Sequence, residues 1–244
     1  MGTNPNHAPR PTPPTLGVLM LDTRFPRWPG DIGCDEGLVG TVIRERVAGA
    51  LPRRIVVDAA TLCASGIDRA FEAAALDLVA AGADVLTTSC GFLVLLQLRL
   101  QRALPVPLVS SSLLQLPALL DSEPEVGVLT IDAAALGLEH LRAAGVPDSR
   151  LGDVLIEGVD PEAAFARAIL GNLDALDRAQ AERDVVAAAL ALKRRAPALR
   201  SVVLECTNMP PFAGAVERAT ALRPRWLRHD ARLRPFFGPC ADDA

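Results

Sequence analysis

The chain has one lysine, Lys193, among 244 residues whose basic side chains are otherwise all arginine. A pyridoxal phosphate enzyme needs a lysine for its Schiff base. Lys193 lies in ALKRRAP, at the charged end of an expected helix, which argues against pyridoxal chemistry. Histidine is also scarce: His7, His140 and His229 are scattered. No CxxC or Cys/His spacing marks a zinc site, so no metal is expected. A Cys–His hydrolase would need His140 or His229 at a cleft. The longest uncharged run, residues 103–120, carries Pro105, Pro107, Pro117 and Ser110, Ser111 and Ser112, a poor membrane helix. Net charge is −4 and the pI about 5.4, which argues against a nucleic-acid partner. The N-terminus shows no secretory signal. A reducing cytoplasm is therefore expected, with the five cysteines free.

Half the residues are hydrophobic and 22% are charged, enough for a sizeable core. Residues 1–14 are proline-rich and expected to form a disordered tail. From residue 16 strand and helix patterns alternate. LGVLML (16–21), RIVVD (54–58), DVLTTS (84–89) and VPLV (106–109) read as buried strands, with helices near 37–50, 67–82 and 92–103. VGVLTI (126–131), DVLIEG (153–158) and SVVLE (201–205) repeat the plan, with helices near 133–144, 161–179, 181–195 and 212–222. A short segment around Trp226 closes the chain. Alternation of this kind implies parallel sheets with right-handed crossovers.

The halves resemble each other. LGVLMLDT at 16–23 matches VGVLTIDA at 126–133, and Cys90 in ADVLTTSCGF matches Cys206 in RSVVLECTNM. The expected architecture is α/β: two pseudo-symmetric lobes, each a mostly parallel sheet flanked by helices, with the site in the cleft between them. The first lobe would span 15–112, completed by 212–244, and the second 113–211. Ligands of open parallel sheets bind beyond the carboxyl ends of the strands, where both cysteines fall.

Free cysteine is among the most buried residue types, so either thiol alone reads as structural. Two at matching repeat positions read as a site. Gly91 opens a helix after Cys90, and Pro210 and Pro211 suit a first helical turn after Cys206. A helix N-terminus stabilises a thiolate and its N–H groups can hold a carboxylate. Thr88, Ser89, Thr207 and Asn208 flank the thiols as candidate substrate contacts. Ser111, in the serine cluster, is a carboxylate donor or a loop cap. Asp22 is a site residue or a turn cap, and Arg24 could pair with a substrate carboxylate. Thr130 takes the place in the second half that Leu21 or Asp22 holds in the first. Cys34, Cys63 and Cys240 look structural or incidental.

LGVLMLDT, TTSCGF, GVLTIDAAAL and LECTNMPP occur in that order over about residues 15–222. In this the chain resembles the aspartate/glutamate racemase superfamily, which also holds hydantoin racemases, maleate isomerases and arylmalonate decarboxylases. The resemblance implies a cofactor-independent racemase or epimerase, an isomerase acting on a small carboxylate of aspartate/glutamate type. Cys90 and Cys206 would be acid and base: one removes a proton next to the carboxylate, the other delivers one to the opposite face. Asp22 matches an aspartate that in glutamate racemases can take up the first cysteine's proton. Such relatives imply a homodimer, although no segment here identifies an interface. Asn208 departs from a histidine common in glutamate racemases, so the thiols are expected to differ in how readily each loses its proton. The long loop DTRFPRWPGDIGCDEG departs too and could form a wall or lid. The alternatives are isomerisation or decarboxylation of a small diacid, and a non-catalytic two-lobed binding protein.

Overall fold

The computed structural model describes residues 13–238. The N-terminal tail up to residue 12, His7 and Cys240 lie outside the described residues. Two four-stranded parallel sheets are built from β1 (Thr15–Met20), β2 (Thr41–Arg46), β3 (Val85–Thr88), β4 (Leu108–Val109), β5 (Val126–Thr130), β6 (Val154–Gly158), β7 (Ser201–Leu204) and β8 (Arg223–Arg225). Their orders are β2-β1-β3-β4 and β6-β5-β7-β8, the same permutation twice. This is the expected α/β plan of parallel sheets flanked by helices.

The registers match as well. Gly17 sits opposite Leu86, and Gly127 opposite Val202. Both glycines are tightly packed: a Cβ on Gly17 would overlap Leu86 and Ala83, and one on Gly127 would overlap Leu192. This register sets Thr130 equivalent to Met20. The expected equivalence with Leu21 or Asp22 is corrected by one or two residues.

The central strands form where apolar runs are short, β-branched and buried on both faces. Alanine-rich helices Asp68–Ala80 and Arg178–Arg195 precede β3 and β7. Their apolar faces join one continuous core that runs through both halves.

Several boundaries differ from expectation. TVIRER forms edge strand β2 inside the expected helix 37–50; its half-exposed pattern mixes β-branched and charged residues, as an edge allows. RIVVD is no strand: Pro52 starts the short helix Pro52–Ile55, and Asp58 caps the helix Ala59–Ala64 through Thr61 N–H. The helix expected from 161 spans only Ala164–Gly171, because Asn172 adopts left-handed backbone (φ 53°) and ends it. The segment near Trp226 contains β8, which pairs with β7 in the second sheet. Thus residues 223–225 leave the first lobe to which the sequence assigned them. Leu227, Leu233 and Phe236 then return to pack with Leu16, Val18 and Val109 of the first sheet. Among the described residues no helix is long and apolar enough to cross a membrane.

Candidate active site

The carboxyl ends of β3 and β7 meet at one cavity. It is lined by Ser89, Cys90, Gly91 and Phe92 from the first half, and by Glu205, Cys206, Thr207 and Asn208 from the second. Leu21, Phe25, Pro52, Val56, Ile131 and Ile169 complete an apolar wall. The pocket opens to solvent: it has about 20 Å³ of fully free space, room for about one water, within about 320 Å³ of non-atom space that includes open solvent. A larger cavity of about 460 Å³ lies outside it, lined by Arg24, Arg27, Arg44 and Arg46. Leu21 and Phe25 line both.

Both thiols are free and buried. A 3₁₀ helix, Gly91–Leu96, starts after Cys90, and another, Pro210–Phe212, follows Cys206. The expected helical starts are present, yet they do not activate the thiols. Burial pushes the Cys90 thiol up and the negative charge of Glu205 adds to this; the Phe92 and Leu93 N–H groups and Arg27 pull back only in part. Cys206 is pushed up by burial and then by Glu205, against the Asn208 N–H. Losing water thus outweighs the helix-terminal field, and both cysteines are biased toward the thiol form.

Glu205 was missed by sequence reasoning. It takes the strand-end place that Ser89 holds in the first half: Ser89 N–H donates to Leu19 O at 3.0 Å and Glu205 N–H to Leu129 O at 2.9 Å. A carboxylate in LEC where the first half has SC was the signal. The residue is 1% exposed. Thr130 Oγ1 donates to its Oε2 at 2.7 Å, while its Oε1 is buried without a hydrogen-bond partner. Burial raises its pKa to about 8, against the Thr130 hydroxyl and the Phe92 N–H. Gly91 is required beside it, since a Cβ there would overlap the Glu205 carbonyl and carboxylate.

Of the expected contacts, Ser89, Gly91, Thr207 and Asn208 line the cavity. Ser89 Oγ accepts from Leu21 N–H at 2.9 Å, and Thr207 Oγ1 donates to Ser89 O at 2.7 Å, tying the halves together. Asn208 Oδ1 accepts from Cys206 Sγ at 3.6 Å, and its amide donates to Asp31. Asp31 in turn pairs with Arg27 at 2.8 Å. Thr130 reaches the site only through Glu205. Thr88 is absent from the lining: its hydroxyl lies 2.7 Å from Ser110 O and 2.9 Å from Cys90 O. Ser111 accepts from Leu113 N–H and caps the 3₁₀ helix after β4. Asp22 accepts from Gly49 N–H at 3.1 Å and faces Arg46 at 3.8 Å, the turn-cap reading rather than a partner for Cys90. Arg24 is exposed, with its backbone N–H held by Asn172 Oδ1. His140 and His229 are absent from the lining, and Lys193 donates to Leu199 O at 2.8 Å at its helix end. No group of three or more His, Cys, Asp or Glu suited to a metal ion occurs among the described residues.

Two parallel sheets with the same strand order and a thiol from each at their meeting point define a known class of fold. Arylmalonate decarboxylase superposes with a TM-score of 0.54 at 15% identity, over 86% of each chain. Allantoin racemase from Pseudomonas fluorescens gives 0.53 at 15%, over 86% of this chain and 84% of that one. These neighbours, with aspartate and glutamate racemases, are members of the aspartate/glutamate racemase superfamily, and the chain has their fold.

Among curated proteins, dimethylsulfoniopropionate lyase 5 from Emiliania huxleyi is 31% identical over 217 residues, 84% of this chain and 42% of the relative. A dimethylsulfoniopropionate lyase from Durusdinium sp. clade D is 27% identical over 220 residues, 85% of this chain and 69% of that one. The chain thus spans less than half of the first relative's length. No protein-family model matches the chain.

Proposed function

We propose that the protein is a cofactor-independent enzyme that removes a proton from the carbon next to a carboxylate, and that the outcome is elimination rather than racemisation. The observation that carries the proton removal is the convergence of Cys90 and Cys206, from matching strand ends, on one cavity. The relatives named as dimethylsulfoniopropionate lyases support elimination. One thiol, as thiolate, takes the α-proton. The C–H electron pair becomes the new C=C bond, the β-carbon–sulfur bond breaks, and dimethyl sulfide leaves with that bond's electrons. Acrylate remains, and the thiol later gives its proton to water. The second thiol and the backbone N–H groups beside it offer hydrogen bonds to the carboxylate as charge grows on it.

The site speaks against an aspartate- or glutamate-type substrate. No cationic side chain lines the cavity, and Glu205 is its one acidic carboxyl group. A second substrate carboxylate would be buried there without a partner.

The test is incubation with dimethylsulfoniopropionate in D₂O, following dimethyl sulfide by gas chromatography and acrylate by NMR. Release of both, lost in Cys90→Ser or Cys206→Ser, is expected. No release at millimolar substrate refutes elimination. Racemisation remains the second reading, favoured by the two-fold placement of the thiols. Deuteration at Cα of a single enantiomer with loss of optical rotation would select it.

A further inference from the structure

Glu205 is the one carboxyl group lining the cavity, and acid/base chemistry by two thiols does not use it. Its neighbours make it an odd resident. Oε2 is held by Thr130, Oε1 has no partner, and the lining offers it no lysine, arginine or histidine. Its presence adds to the burial that pushes both thiols up. Asp31 is held near Cys206 through Asn208, and Arg27 pairs with Asp31. Neither lines the cavity. A buried carboxyl group on the lining of a cavity whose other side chains are apolar or uncharged polar groups is a half-made ion pair.

We infer that Glu205 receives the positive charge of the substrate, so that the site selects a small onium carboxylate: carboxylate at the thiols' backbone N–H groups, cation at the Glu205 carboxyl group. The inference rests on the proton-removal reading and names its substrate class. The apolar wall of Leu21, Phe25, Val56, Ile131 and Ile169 suits methyl groups on the cationic centre, and the Phe25 ring adds an aromatic face that favours cations. An onium group beside Glu205 favours its ionised form, and the resulting pair presents the thiols with no net negative charge.

The test uses two acids of similar shape, neither able to eliminate readily: N,N-dimethyl-β-alanine, an ammonium carboxylate, and 4-methylpentanoate, which lacks the positive charge. Each is titrated into wild type and Glu205→Gln by calorimetry at pH 7, in buffers of different ionisation enthalpy. Wild type is expected to prefer the ammonium acid by about tenfold or more and to release close to one proton on binding it, none on binding the other. Glu205→Gln, which keeps an oxygen for Thr130, is expected to bind both alike and release none. Equal affinities in wild type, no binding of the ammonium acid at millimolar concentration, no proton release, or a preference retained in Glu205→Gln would each overturn the inference. The wild-type comparison stands even if the variant folds poorly. Turnover of dimethylsulfoniopropionate without a Glu205-dependent preference sinks this inference and leaves elimination standing. A Glu205-dependent preference without turnover does the reverse.

Discussion

Replacing Glu205 by glutamine should change how the stability of the whole protein depends on pH. The carboxyl group is 1% exposed and its folded pKa is raised from 4.5 to about 8. A raised folded pKa means that the unfolded chain loses this proton first as pH rises. Below pH 4.5 the group is protonated in both states and its contribution is at its best. Between pH 4.5 and 8 the folded protein holds one proton more than the unfolded one, so stability falls by about 1.4 kcal/mol per pH unit. Over that window of roughly 3.5 units the loss is about 5 kcal/mol, a large share of the 5–15 kcal/mol that holds an ordinary domain together. Glutamine has no such proton. The assay is urea denaturation of wild type and Glu205→Gln at several values from pH 5 to 9, taking the difference at each pH so that other groups cancel. The variant should gain on wild type steadily up to pH 8 and then level off. A difference that stays flat within about 1 kcal/mol from pH 5 to 8 would refute the buried, raised carboxyl group and the reasoning built on it.

Other outcomes follow from the same geometry. With iodoacetamide at pH 7, exposed Cys63 should label first and half-buried Cys34 next, with Cys90 and Cys206 last, since both are buried and biased toward the thiol form; peptide mass spectrometry gives the order, and early labelling of Cys90 would contradict it. Gly91→Ala should destabilise by about 1–3 kcal/mol, because its Cβ must displace Glu205, and a thermal melt lowered by several degrees is expected. Asn208→Ala leaves Asp31 and the Cys206 thiol without their amide partner; a loss of about 1–3 kcal/mol is expected by urea denaturation. Thr130→Val removes the one side-chain partner of Glu205 and should raise the pH at which the carboxyl group ionises further, read as an upward shift of the pH dependence described above.

Much of the frame was legible because it is written in local pattern. β1, β3, β5 and β7 are short apolar runs that no exposed element would carry, and the alanine-rich helices before β3 and β7 are amphipathic over many residues. β2 was not legible. TVIRER is half-exposed at a sheet edge, so its pattern lacks the apolar run that marks a central strand. RIVVD has that run, yet Pro52 and the capping Asp58 turn it into helix and loop. The site divides in the same way. The thiols announce themselves by repeat position. Asp22 places its carboxylate against Gly49 N–H and near Arg46, contacts that depend on where β2 ends.

The sequence by itself determined that two parallel-stranded halves each end a buried strand in a cysteine, since hydrophobic period and repeat are properties of neighbours along the chain. It did not determine what state those thiols are in. That depends on the bond from Thr130 to Glu205, 75 residues apart, on the lashing of Thr207 to Ser89 across the two sheets, and on the walls of Leu21 and Phe25 that shut out water. Burial and charge are set by whatever packs around a group in three dimensions. Only the tertiary structure could place a lone buried carboxyl group beside two thiols.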